Sequence, residues 1–108
     1  RGKVHYQTQL TFGDLSLDMV THRLYQNGQP VDLTNKEFAL LEFFMRNLNT
    51  VLTRTQIAEH VWDYNFDSLT NVIDVFVNRL RNKIDKDRIH KMIHTIKGVG
   101  YIMKDERP

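Results

Sequence analysis

The chain has 108 residues, 41% apolar and 26% charged, with a net charge of +2, the composition of one globular domain around one core. It contains no cysteine, which excludes disulfides and thiolate chemistry and fits a reducing, cytoplasmic setting. No apolar run approaches the ~18 residues that span a bilayer and no signal peptide is visible, so no membrane partner is expected.

The chain opens on Arg1 rather than methionine, so residues 1–9 read as the remnant of a linker, followed by one domain over 10–105 and a short tail over 106–108. The first third reads as β: LTF (10–12), LSLD (15–18) and RLYQ (23–26) are short segments separated by turn signals. Asn27-Gly28 stands between RLYQ and QPVDL, the strongest short-range hairpin signal, and Pro30 places the return strand at an edge or near a strand end. These segments predict an antiparallel sheet of three or four strands.

Three helices follow. Thr34 and Glu37 have capping-box spacing, ahead of the stripe Phe38, Leu41, Phe44, Met45 and Leu48. Thr53 and Gln56 repeat the box and open a shorter helix through Ile57, Ala58, Val61 and Trp62. After an interruption over 63–68, Ser68 or Thr70 can cap a long helix, LTNVIDVFVNRLRNKI (69–84). On a helical wheel Leu69, Ile73, Phe76, Val77, Leu80 and Ile84 form its apolar side. Asn71, Val75, Asn78 and Asn82 point the other way, with Arg79 and Lys83 on one shoulder and Asp74 and Arg81 on the other.

That outer face is amide-rich, carries arginine and leaves a valine outward, whereas a merely solvated face holds more alternating charge. Asparagine and arginine present paired donors and acceptors to base edges, and a valine can meet a thymine methyl group. Arg79, Arg81, Lys83, Lys86, Arg88, Lys91 and Lys97 also crowd the last third, giving it a local positive field. The chain then returns to β over Lys91 to Ile96, turns at Gly98-Val99-Gly100 and comes back through Tyr101, Ile102 and Met103. The two glycines suit a hairpin with an exposed tip. The order sheet, three helices and hairpin defines an α+β chain with a helix-turn-helix of enlarged turn and a β-hairpin wing.

VDLTNKEFALLEFF, VLTRTQIAEHVW, TNVIDVFVNRLRNKI and IHTIKGVGY resemble, in order and spacing, the DNA-binding effector domain of OmpR/PhoB-type response regulators. The resemblance covers about residues 10–103, and its most specific pieces are the long-helix pattern V-x-D-V-x-V-x-R-L-R-x-K and the wing pattern T-I-K-G-x-G-Y. It implies a winged helix-turn-helix with an N-terminal four-stranded sheet. It also implies a bacterial two-component regulator whose receiver domain is phosphorylated by a cognate sensor kinase, and whose paired copies bind head-to-tail on direct-repeat promoter DNA. Carried over by position, Asn71, Val72, Val75, Phe76 and Arg79 lie on the family's major-groove face. Trp62, Asn78, Arg81, Lys83 and Thr95 fall at or near DNA-backbone positions, and Lys97 on the wing tip near the minor groove. Asp63, Tyr64, Asn65, Phe66 and Asp67 correspond to the loop that touches RNA polymerase. Asn78 stands where the family often has arginine and Lys97 replaces a wing arginine, each lost phosphate contact flattening the log–log salt slope by about 0.9.

Plainer roles compete at several positions. Arg79 could pair with a carboxylate elsewhere, Arg81 could be structural, and Phe76 and Trp62 suit core packing. Asp74 would be repelled by DNA and suits a salt bridge that orients an arginine. Asp63, Asn65, Asp67 and Asp74 have calcium-loop spacing, but the required glycine is Ser68 and the terminal glutamate is an aspartate, so no metal is expected. His90 and His94 lack a further ligand, which argues against zinc. There is no phosphate-cradling loop, nucleophile elbow or metal set, so neither an enzyme nor a cofactor is expected. The competing function is a winged-helix protein-docking module that does not read DNA sequence, since a fold alone does not decide function.

Overall fold

A computed structural model of the chain describes residues 8–62 and 70–105. The expectations for linker residues 1–7, the loop 63–67, the Ser68 cap, Leu69 and the tail 106–108 lie outside the described residues.

Four antiparallel strands open the fold in simple order: β1 (Gln9–Phe12), β2 (Leu15–Asp18), β3 (Arg23–Gln26) and β4 (Gln29–Val31). The register Leu10↔Leu17, Leu17↔Leu24 and Leu24↔Val31 lines one apolar row across the sheet, so a one-residue slip would turn it to water. Asn27 and Gly28 both adopt positive φ (52° and 77°), as a two-residue hairpin turn requires, and Pro30 sits on the edge strand where its missing N–H is harmless.

Against this sheet packs α1 (Asn35–Arg46), opened by the expected box: Glu37 N–H donates to the Thr34 hydroxyl and Thr34 N–H to the Glu37 carboxylate. The Thr53/Gln56 box likewise opens α2 (Arg54–Ile57), which continues as a π-helical turn over Ala58–Trp62. The sequence predicts an unbroken α-helix there. The wider turn is held where Lys36 of α1 donates to the Val61 carbonyl at 3.0 Å, a contact that periodicity cannot reveal. The long helix α3 (Thr70–Ile84) crosses behind, burying Ile73, Val77, Leu80 and Ile84 in the common core.

A second sheet, order β5-β7-β6, joins β5 (Leu52–Thr53), β6 (Ile93–Ile96) and β7 (Gly100–Met103). β6 starts later than the sequence suggests because buried Asp85, just past α3, accepts the N–H groups of Met92 and Ile93 and holds them as a loop cap. The two-residue β5 carries no periodic signal, yet it seats the wing. A Cβ on Gly100 would lie 2.0 Å from the Leu52 carbonyl oxygen, so this glycine is required for close approach of strands rather than for a mobile tip. Gly98 does serve the turn, at φ 76° with Val99 N–H donating to the Ile96 carbonyl.

Candidate nucleic-acid interface

Opposite its buried stripe, α3 exposes Asn71, Val75, Asn78, Arg79 and Asn82, with Val72 and Phe76 half-buried at the border. Asn71, Val72, Val75, Phe76 and Arg79 therefore share one face. Val75 is 45% exposed, an apolar side chain turned to water on a helix with a full core stripe elsewhere. The Arg79 guanidinium lies 5.1 Å from the Phe76 ring centroid, and Phe76 packs edge-on against Trp62 at 5.2 Å. Lys36 lies over the other partner of that pair, 5.7 Å from the Trp62 ring. Phe76 and Trp62 thus form an aromatic pedestal under Arg79. Among the described residues Arg79 makes no ion pair. An exposed cation–π contact is worth only about 0.5–1 kcal/mol, so its five N–H donors remain available for a stronger acceptor.

The wing side of α3 is tied together. Asp74 accepts from Arg54 Nε at 2.9 Å and from the Tyr101 hydroxyl of β7. Two guanidiniums lie over the Tyr101 ring, that of Arg54 at 5.3 Å and that of Arg81 at 5.4 Å from its centroid. Burial, then the hydrogen bond to Asp74, pushes the Tyr101 phenol up, and the bond to Asp74 raises Arg54 further. Arg81 reaches both ways, Nη1 donating to Thr95 Oγ1 of β6 at 2.8 Å and Nη2 to Asn78 Oδ1 at 2.7 Å. Asn78, Arg81 and Thr95 are thereby one joined group spanning helix and wing. Lys97 stands exposed on the turn beyond them.

On the α1 side, Lys83 is engaged elsewhere. Its ammonium meets Glu37 Oε1 at 2.5 Å and the Asp32 carbonyl at 2.9 Å, with the Glu37 side chain only 2% exposed. Burial pushes the Glu37 carboxyl up, but the Lys83 ammonium and the Thr34 amide outweigh it and hold it below its ordinary 4.5.

Arg54, Tyr101 and Glu37 are the site-shaping residues that sequence reading left out of the interface. One signal was present: Arg54 opens α2, where the helix dipole disfavours a cation, so it needs a tertiary partner. Among the described residues no group of three His, Cys, Asp or Glu could hold a metal, and no helix is long and apolar enough to cross a membrane. The loop residues Asp63, Tyr64, Asn65, Phe66 and Asp67 lie outside the described residues.

A long helix with an exposed amide- and arginine-bearing face, preceded by a short helix and flanked by a hairpin, defines the winged helix-turn-helix class. Residues 28–103 match the family described as "Transcriptional regulatory protein, C terminal". The transcriptional regulatory protein CusR of Escherichia coli (strain K12) is 50% identical over 98 residues, covering 91% of this chain and 43% of CusR. The crystal structure of the DNA-binding domain of CpxR from E. coli superposes with a TM-score of 0.83 at 27% identity, covering 94% of this chain and 100% of that one. The response regulator DrrB, a Thermotoga maritima OmpR/PhoB homologue, gives 0.79 at 31% identity, covering 91% of this chain and 45% of DrrB. The chain belongs to the family of C-terminal DNA-binding domains of OmpR/PhoB-type response regulators, a family of transcriptional regulators rather than enzymes. It spans about half the length of the curated relatives it matches, 43% of CusR and 46% of the PcoR protein of E. coli.

Proposed function

We propose that this domain binds double-stranded promoter DNA sequence-specifically, as the output domain of a bacterial two-component regulator working in the cytoplasm. α3 enters the major groove, presenting Asn71, Val72, Val75, Phe76 and Arg79 to base edges. Trp62, Asn78, Arg81 and Thr95 face the DNA backbone, Lys97 lies near the minor groove, and Lys83 serves mainly to bind α3 to α1. The observation that carries the reading is the outer face of α3, where Arg79 stands on an aromatic pedestal, without an ion pair among the described residues, and beside an outward valine. An arginine so placed is suited to bidentate bonding with guanine, worth about 1–3 kcal/mol of discrimination.

We propose the wider assembly by analogy with the family. Two copies bind in tandem on direct repeats, a receiver domain answering to a sensor kinase controls their pairing, and the 63–67 loop meets RNA polymerase. The domain limits of 10–105 are proposed with it.

Selection from random duplex DNA, followed by titration of the enriched site at two salt concentrations, tests the reading. A repeated motif at about one helical-turn spacing, bound more weakly as salt rises, is expected. If nothing is enriched even by two fused copies, the domain docks on protein instead.

A further inference from the structure

Asn78 and Thr95 are neutral, and nothing in their side chains alone says which polar atom faces outward. Arg81 decides it. A guanidinium has donors only, so the atom of Asn78 that meets Nη2 at 2.7 Å must be the carbonyl oxygen, and the Thr95 oxygen at 2.8 Å from Nη1 must accept. The Asn78 NH2 is therefore turned away from Arg81, and the Thr95 hydroxyl proton is left to donate elsewhere. Both residues are exposed, and among the described residues nothing accepts from either donor. Charge-assisted bonds to the guanidinium also polarise both groups toward donation.

The guanidinium is itself fixed. It lies 5.4 Å from the Tyr101 ring, whose hydroxyl is tied to Asp74, and Tyr101 is the register partner of Thr95, which puts the ring and the hydroxyl on one face of the wing. Asn78 precedes Arg81 by three residues and so lies beside it on α3.

We propose that Arg81 is a positioning residue which turns Asn78 Nδ2 and Thr95 Oγ1 into a paired donor site for the oxygens of a DNA phosphate, at the seam between α3 and the wing. This rests on the DNA-binding reading. The phosphate is gripped by two neutral donors that one buttressed cation holds in place, and helix and wing meet the backbone as a unit. Without Arg81 the amide is free to flip and present its oxygen, which a phosphate repels.

A double-mutant cycle on a duplex enriched by the wild-type chain tests this, with thermal melts of every variant. Asn78→Ala is expected to weaken binding about fivefold and Arg81→Met about tenfold, while the double variant loses about tenfold rather than the ~50-fold product. Arg81→Lys keeps the charge but cannot bridge both groups, so it falls within about twofold of Arg81→Met, and it supplies the same cycle should Arg81→Met not fold. Losses that multiply, or full affinity in Arg81→Lys, would overturn the proposal while leaving DNA binding intact. Failure of the wild-type chain to bind any duplex in a salt-dependent way would remove the DNA reading and this site with it.

Discussion

On its α1 flank, α3 sends Lys83 into a buried carboxylate, whereas on its wing flank it sends Arg81 over a tyrosine to two exposed neutral groups. The two cations are two residues apart on one helix and look alike in the sequence. What separates them is the partner each meets. Glu37 is 2% exposed and already used by a helix cap, so Lys83 stabilises the junction of α1 and α3. Arg81 meets no carboxylate among the described residues, and its bonds set the direction of other side chains. The α1 flank is a structural seam, and the wing flank is an orienting one.

Four substitutions test that contrast. Gly100→Ala should have the largest effect, because its Cβ would meet the Leu52 backbone and lift Tyr101 away from Asp74. A loss of about 3 kcal/mol or more in denaturant unfolding is expected. An unchanged midpoint would show that the wing does not depend on its closure against β5. Lys83→Met leaves Glu37 buried and unpaired, at a cost of about 2 kcal/mol, below the usual range for buried pairs because the Lys83 side chain is 34% exposed. The Glu37 carboxyl is held below 4.5, so the stability it contributes is present above that pH and is lost as pH falls through its lowered folded value. Melting from pH 6 down to 3 should show this slope, and Lys83→Met should flatten it.

Arg79→Ala should leave melting nearly unchanged and reduce discrimination at one base position by about 1–3 kcal/mol. Unchanged affinity ratios between the selected site and its single-base variants would remove Arg79 from base readout. The smallest effect is expected of Lys97→Ala, which should weaken all duplexes alike and lower the salt slope by about 0.9. A loss confined to one sequence would make Lys97 a base reader instead.

Much of the architecture was legible because it is local. Asn27-Gly28 sets its hairpin, both capping boxes form as spaced, and the apolar period of α3 separates the buried Ile73, Val77, Leu80 and Ile84 from the exposed Asn71, Val75, Asn78 and Arg79. Asp74 does make the expected salt bridge, and its partner is Arg54 of α2, 20 residues away in sequence. The π turn, β5 and the reason for Gly100 were not legible, since each depends on a backbone contact between distant segments.

Apart from β5 and the π turn, the elements, their order and the polarity of each face can be read from the chain alone, because turn chemistry, caps and helical period act over a few residues. What each charge is for depends on long-range packing. Lys83 and Glu37 are 46 residues apart, Arg81 and Thr95 are 14 apart, and which cation meets a carboxylate or a neutral acceptor depends on how helices and wing pack in space. A helical wheel gives a side chain its direction, and the fold supplies what lies there.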